Sequence, residues 1–408
     1  MEYSGPELSQ KRKNKTVAIF IENYIAGGSD KIARDLIDDM DYESLYLFVN
    51  RTSDTSILLS SPLPKNTQLV HYNILTLVEL GVFANQFKER SQFFYLVFKI
   101  LNVIVRYPLI LLHVIYFSRL FRKYKINILF SNNGGYPGGE CNRAATLSAS
   151  LVCQKNYHII HSLATKPFLK VFTPIEYMID YILDIGSTII CVSNQTKDVL
   201  LQQRFIRQNP IIIYNGVKAK RDIIKDFTAK RDKLKLLSIG ILGKIKNQLF
   251  IIEALHILKE KGFDAIELYI VGKEGDSDYL KMLQDKVDEY QLCVHFEGFS
   301  SNPSYYYDLC DVFVLSSTVE SFALVRVEAM SVGMPVVTTD VGDAHKQVKN
   351  GVNGFIVDSP EAMALAIQKY ILLPNLIIEH AQNGYAIYKN DFTRDKMIGQ
   401  YQELISKD

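Results

Sequence analysis

The stretch Glu320–Val337, ESFALVRVEAMSVGMPVV, places two glutamates eight positions apart and then runs through a glycine and a proline into an apolar strand. Just before it, Val312 to Leu315 reads as a strand and Ser316 to Val319 as a polar turn. Strand, turn and a helix opening near Phe322 form the unit from which open parallel sheets are built. Glu320 then sits in the turn at the strand's carboxyl end. Eight residues in turns of about 3.6 return to nearly the same helix face, so Glu328 is expected to look the same way. Free N–H groups of Phe322, Ala323, Leu324 and Val325 at the helix start suit a phosphate. Acids beside a phosphate are unfavourable unless they accept hydroxyl donors, as from a sugar or ribose. By spacing alone, a helix cap at Glu320 and a solvated Glu328 explain the pair at least as well.

The same alternation of strand and helix extends in both directions. Upstream lie the runs 17–21, 44–50, 126–133, 157–163, 187–193 and 210–217; a charge-rich connector, Lys218 to Lys233, follows. The pattern then restarts at 234–240, 266–272, 294–298, 312–317, 335–340 and 354–358, with helices expected over about 247–261 and 279–289. This is α/β patterning in two doubly wound, Rossmann-like domains, whose ligands bind in a cleft at the carboxyl ends of the strands. Residues 1–212 are expected to form one domain and 213–385 the other, with a C-terminal helix over about 386–408 packing back on the first.

The bulk composition agrees. The chain has 408 residues, 48% of them hydrophobic, enough for two cores of about 200 residues each. A formal charge of +2 gives no footprint for nucleic acid. Cys141, Cys153, Cys191, Cys293 and Cys310 are widely spaced, which suits a reducing compartment and encodes neither a disulfide scaffold nor a zinc site. The N-terminus reads as a basic tail and a first strand rather than a signal peptide.

Residues 93–125 are apolar but interrupted by Lys99 and Arg106, leaving Tyr107 to Ser118 as the longest uncharged piece, short of the ~20 residues a membrane span needs. Two readings stand: a pair of interfacial helices on anionic lipid, or core helices with a solvated basic end at Arg119, Arg122, Lys123 and Lys125.

Other segments carry candidate chemistry. In LLSIGILGKIKNQL, residues 236–249, a strand leads to Gly240 and a loop in which Lys246 can meet the charge of a departing diphosphate. Gly27 and Gly28, between strand and helix, can bring backbone against a phosphate. His161 falls at the end of a strand, with His158 pointing to its other side. The glycine-rich loop within 130–149 offers Asn132, Asn133, Glu140 and Arg143 as readers of a polar acceptor. Asp276 and Asp278 have a two-acid spacing that a solvated turn explains better than a metal.

The whole resembles the retaining family 4 glycosyltransferases of the GT-B fold. Glu320, Phe322, Leu324, Val325, Glu328, Ala329, Met330, Gly333, Pro335, Val336 and Val337 match that family's signature of two glutamates separated by seven residues. The resemblance implies a nucleotide-sugar donor, with Glu328 on the ribose hydroxyls and Glu320 near the reaction centre. It implies that the amides of Phe322 to Val325 hold sugar and diphosphate, with Lys246 on the leaving group beside Gly240. The glycine loop, Gly27 and Gly28, would touch donor phosphate and acceptor, and His161 would face the cleft. It implies no metal and no cofactor beyond the donor. The expected role is hexosyl transfer in polysaccharide biosynthesis, on a saccharide or lipid-linked acceptor, by a cytoplasmic protein peripheral on the inner face of the plasma membrane. The chain departs from the family at Ser321 and Ala323, usually glycine, at Ile241, usually arginine, and at Lys346, usually glutamate. An alternative is a catalytically weak or inactive nucleotide-sugar-binding subunit that supports a partner enzyme. Slow hydrolysis of the donor, lost in Glu320→Ala, discriminates the two.

Overall fold

The computed structural model describes residues 15–219, 224–227 and 232–406. The basic cluster Lys11 to Lys13 and parts of the connector Lys218 to Lys233 lie outside the described residues. The chain divides into two compact units: residues up to Ile213 joined by those from Ile398 onward, and Tyr214–Met397.

The N-terminal unit runs β1 (Thr16–Ile21), α1 (Gly28–Asp39), β2 (Ser44–Asn50), β3 (Thr67–Tyr72), α2 (Leu77–Asn85), α3 (Gln92–Lys123), β4 (Ile128–Asn133), α4 (Glu140–Val152) and β5 (Lys155–Ile160). A 3-10 turn (Lys170–Phe172), α5 (Thr173–Gly186), β6 (Thr188–Cys191), α6 (Asn194–Gln203) and β7 (Ile211–Ile212) complete it. Its strands pair in parallel in the order β3-β2-β1-β4-β5-β6-β7. Helices cover both faces of such a sheet, which is why β1 is an unbroken apolar run with Val17, Ala18, Ile19 and Phe20 all fully buried. The Phe20 ring stacks on Tyr72 at 4.8 Å and meets the edge of Phe117 at 4.9 Å, fixing α3 to the sheet.

The C-terminal unit runs β8 (Leu234–Ile239), α7 (Gln248–Glu260), β9 (Ile266–Val271), α8 (Ser277–Glu289), β10 (Val294–Gly298), α9 (Ser304–Leu309), β11 (Val312–Leu315) and α10 (Leu324–Ser331). Then come β12 (Val336–Thr339), α11 (Ala344–Gln347), β13 (Gly354–Val357), α12 (Pro360–Leu372), α13 (Asn375–Asp391) and α14 (Arg394–Ser406). The parallel order is β10-β9-β8-β11-β12-β13, over a core that includes Leu236, Leu268, Val312, Ile251 and Met363. α14 continues beyond Met397 onto the N-terminal unit, where Tyr157 Oη donates to the Leu404 carbonyl at 2.7 Å and the Tyr401 ring lies 5.9 Å from Phe130.

Each sheet has one point where the winding reverses: between β1 and β4, and between β8 and β11. Connections leave these neighbours toward opposite faces, which opens a crevice at their carboxyl ends. Four candidate segments lie at these two places.

Several elements depart from the sequence expectation. β3 was not anticipated: in TQLVHY the alternation is weak because this edge strand is only partly covered. β7 shrinks to two residues at the other edge. The helix after Glu320 opens at Leu324, not Phe322, and the returning C-terminal segment begins at Ile398 rather than 386. α13 stays with the C-terminal unit, where Phe392, just past its end, packs on Phe322 at 5.8 Å. Residues 92–123 form one continuous helix with Pro108 inside it, not a helix pair. By length and composition this helix can cross a membrane: of its five cations three, Arg119, Arg122 and Lys123, fall in its last five residues, so Lys99 and Arg106 alone interrupt an apolar window that the longest uncharged piece understates.

Candidate functional site

In the C-terminal unit, β8 ends at Ile239 and the chain turns through Gly240 to Lys246 before α7. The Lys246 stem lies on Gly240, where an added Cβ would touch its Cδ and Cε at 3.5 Å. The neighbouring strand β11 is followed by Ser316 and Ser317, and the two loops are tied together. Ser316 Oγ donates to the Lys246 carbonyl at 3.0 Å, and the Thr318 N–H to that of Ile245 at 2.8 Å. Lys246 Nζ and Glu320 Oε1 form an ion pair across the switch point, and Ser317 Oγ donates to the same carboxylate oxygen at 2.8 Å. Lys246, expected to stand ready for phosphate, is thus already matched to an acid.

Two helices open beside this pair, and neither has a side-chain cap. Asn247 before α7 has φ 50° and Ala323 before α10 has φ 58°, both left-handed. An alanine in that region costs roughly 1–2 kcal/mol, so Ala323 keeps the conformation that glycine adopts freely. Such strain persists where surrounding structure imposes it. Gly342 is part of that surround: at φ +58°, a Cβ there would lie 2.8 Å from Glu320 Cβ and 3.1 Å from Phe322 N. The Phe322 side chain is buried against Tyr214 and Phe392, leaving its backbone to face the turn.

Glu328 lies in the second turn of α10, nearly buried, and accepts from Tyr307 Oη at 3.0 Å. Because residues 320–323 are not helical, the eight-residue face argument does not hold. Glu320 faces Lys246 and Ser317 while Glu328 faces Tyr307. Ile241 is half-exposed and its methyl reaches toward Gly275, while Lys244 is exposed. Lys346 pairs with Asp391 at 3.3 Å. Asp276 caps α8, accepting from the Tyr279 N–H at 3.1 Å. Among the described residues, Glu267, Cys293 and His295 alone gather at metal-ligand distance, and Lys233 already occupies Glu267 at 2.8 Å. All five cysteines are free.

In the N-terminal unit, Gly27 caps α1, and its N–H donates to Asp30 Oδ2 at 2.8 Å. That amide is therefore spoken for, contrary to the expectation that it holds phosphate. A Cβ on Gly27 would meet nothing within 4 Å, so no neighbour within the chain requires glycine there. Ser29 next to Gly28 links this loop to His161. Asn132 Nδ2 donates to the Ser29 carbonyl at 3.2 Å and Asn132 Oδ1 lies 2.7 Å from His161 Nε2. A carbonyl only accepts, so the amide nitrogen faces Ser29, the amide oxygen faces His161, and Nε2 carries the proton. Burial pulls His161 down to about 4, leaving a neutral ring with an Nδ1 lone pair. His158 is buried on the other side, bonded to Thr146 Oγ1 at 2.7 Å and pulled down to about 3 by burial and Arg143.

Sequence reasoning missed two side chains here and gave a third another role. Glu22, just past β1, accepts from Tyr24 Oη at 3.0 Å and from the Cys141 N–H of α4 at 2.8 Å. Burial and the Glu140 charge push its carboxyl up to about 7, against the pull of Tyr24 and the α4 amides. Gly139 exists for this contact, since a Cβ there would fall 2.0 Å from Glu22 Oε2. An acid closing an apolar strand was the available signal. In the C-terminal unit Arg326 is fully buried in α10 and donates to the carbonyls of Val341 at 2.7 Å and Gly342 at 2.6 Å. It thereby holds the loop that seats Glu320, and burial draws it down to about 10. Asn132 was noted only as an acceptor reader; its position in β4 makes it the link described above.

Arg143 corrects the reading of the 130–149 loop. It is fully buried and paired with Glu176 at 2.8 Å, in a network with Arg204, Asp180 and Tyr136. Such a residue supports the fold and does not reach an acceptor.

Residues 219–390 match the family model described as glycosyl transferases group 1. The chain is 27% identical over 243 residues to the capsular polysaccharide biosynthesis glycosyltransferase CapM of Staphylococcus aureus, covering 53% of this chain and 62% of that protein. It is 22% identical over 258 residues to the Escherichia coli UDP-Gal:alpha-D-GlcNAc-diphosphoundecaprenol alpha-1,3-galactosyltransferase, covering 59% and 64%. The aligned stretches thus span somewhat under two thirds of these relatives. The crystal structure of Anabaena Alr3699/HepE in complex with UDP superposes with a TM-score of 0.70 at 17% identity, covering 96% of this chain and 99% of that one. Residues 219–390 thus carry the match to glycosyl transferases group 1, and the two Rossmann-like units have the GT-B fold.

Proposed function

We propose that this chain transfers a hexosyl group from a nucleoside diphosphate to a hydroxyl of a saccharide acceptor, with retention at the anomeric carbon. The observation that carries the reading is the Lys246–Glu320 pair at the switch point of β8 and β11, beside two helix starts without side-chain caps. As the bond from the anomeric carbon to phosphate breaks, its electron pair goes to the diphosphate. The Lys246 ammonium and the N–H groups of Phe322 to Val325 meet that charge. Glu320 orients the sugar, and Glu328 accepts from the ribose hydroxyls. The acceptor oxygen bonds to the same face of the anomeric carbon and gives its proton to a phosphate oxygen, so the step balances with no cofactor beyond the donor. Within the N-terminal unit, Nδ1 of neutral His161 is able to accept a hydroxyl hydrogen, and Gly27 leaves its side open.

The acceptor we favour is a lipid-linked saccharide of a surface polysaccharide, at the inner face of the plasma membrane; the names of the two relatives above support that class. The intact ion pair favours an enzyme over a binding-only subunit. Thermal stabilisation by UDP, GDP, ADP and their sugars identifies the donor. The anomeric proton of the product, followed by NMR, reads the stereochemistry. Stabilisation by none of these nucleotides overturns the reading, and an inverted product overturns retention.

A further inference from the structure

Helix α3 is apolar on its outward face as well as on its buried one, where Ile110, Phe117 and Phe121 pack. Phe93, Val97, Ile100, Ile104, Pro108, Leu111 and Ile115 recur at steps of three and four residues, so they share one face over ~33 Å. All seven are exposed, Phe93 at 70% and Leu111 at 62%. Away from that stripe, Asn102 and Arg106 reach neighbouring elements while Lys99 stays exposed on its own helix. Asn102 Nδ2 donates to the Leu77 carbonyl at 3.1 Å, Arg106 pairs with Glu140 at 3.6 Å, and the Lys99 ammonium sits over the Tyr95 ring at 4.7 Å.

The helix also projects. Asn127, just after α3, donates its N–H to the Thr16 carbonyl at the start of β1, whereas His113 Nε2 lies 2.9 Å from the Leu75 carbonyl just beyond β3. The eleven residues from His113 to Lys123 therefore span the sheet, and Gln92 to Leu112 extend ~30 Å past its carboxyl edge. That is the edge carrying Glu22, Asn132 and His161. α2 runs beside this extension, stapled by Phe83, Phe87 and Phe98 with ring centroids 5.1 Å apart. The loop 165–172 joins it where Phe172 meets Tyr107 at 5.1 Å, and exposes Phe168 at 79% and Val171 at 76%.

The charges around these apolar groups have one sign. Exposed Lys88, Arg90, Lys99, Lys166 and Lys170 flank the projecting end and Arg119, Arg122, Lys123 and Lys125 the other, while residues 86–125 and 162–172 contain one acid, Glu89. Aromatic and aliphatic groups ringed by cations match the interface of an anionic bilayer. We infer that α3 lies in the plane of such a bilayer, its outer stripe and the tip of loop 165–172 embedded between headgroups. This deepens the proposed function, and rests on it only for the acceptor: the carboxyl edge of the N-terminal sheet would sit at the lipid surface, where a lipid-linked saccharide presents its hydroxyl.

The test uses the full chain and flotation with vesicles of phosphatidylglycerol and phosphatidylcholine, against vesicles of phosphatidylcholine alone. The wild type is expected to float with the anionic vesicles and to be released by high salt or carbonate. The double variant Ile100→Glu, Ile104→Glu, with unchanged circular dichroism and melting, is expected to bind at least tenfold more weakly. Lys166→Glu with Lys170→Glu weakens binding in the same direction. Equal binding of wild type and Ile100→Glu, Ile104→Glu, or no binding at all, overturns the inference. Carbonate-resistant association overturns the in-plane placement, and a stable dimer broken by the same variants without vesicle binding assigns the stripe to a second copy instead. Donor hydrolysis, which uses water as acceptor, is expected to be equal in wild type and variant. Its absence from both would fail the proposed function while leaving the vesicle result standing.

Discussion

The ammonium of Lys246 and the carboxylate of Glu320 neutralise each other across the reversal point of the C-terminal sheet, and Ser317 Oγ holds the same carboxylate oxygen at 2.8 Å. A charged pair with side chains 29% and 12% exposed is partly desolvated, so each partner governs how strongly the other meets an incoming anion.

Glu320→Gln frees the Lys246 charge. A nucleoside diphosphate is then expected to bind about tenfold more tightly, while turnover falls about 10²–10³-fold because the sugar loses its orienting acid. Calorimetry and steady-state rates read the two effects separately. Weaker diphosphate binding in this variant would show that the pair does not restrain the lysine.

Asn132→Asp puts an anion where the amide oxygen now meets His161 Nε2. The imidazolium becomes favoured, so the His161 pKa rises from about 4 toward the physiological range. NMR titration of the ring Cε1 proton is the measurement. An unmoved pKa would mean that Asn132 does not set the state of the ring.

Glu22→Gln tests the acid beneath α4. The Glu22 carboxyl is pushed up from 4.5 to about 7, so the folded state holds a proton that the unfolded chain releases first. Its contribution to stability is complete below pH 4.5 and is lost as pH rises through 7. The amide variant removes the charge: its oxygen accepts from the Cys141 N–H, and its nitrogen donates to Tyr24 Oη, whose own hydrogen turns to Thr76 Oγ1. It is expected to melt higher than the wild type at pH 8, with the difference vanishing near pH 4.5. A constant difference across that range would contradict the raised pKa.

Arg143→Ala leaves Glu176 buried with fewer partners. Breaking such a pair costs ~3–5 kcal/mol, read as a lower urea midpoint. Acceptor KM is expected to stay put at temperatures where the variant remains folded. A selective rise in acceptor KM with unchanged stability would restore Arg143 as an acceptor contact.

Much of the architecture was legible in the sequence because buried parallel strands are continuous apolar runs. All strands except β3 were visible, and β3 failed because an edge strand need not be apolar on both faces. At the candidate site, Glu320, Lys246, Gly240 and His161 could be named from motif and position. The partners of Glu22, Arg326 and Asn132 could not, since their contacts lie far apart in the chain: Glu22 meets Cys141, and Asn132 meets both Ser29 and His161.

The order of apolar runs, the turn residues between them and the glutamate-bearing segment 320–337 were enough to specify two Rossmann-like units, because period and burial are written locally. Tertiary structure alone decided which charges neutralise one another, that Arg143 serves the core, and that α3 leaves an apolar stripe facing outward. Each of these depends on what stands opposite a residue in space, and a linear pattern carries no record of that.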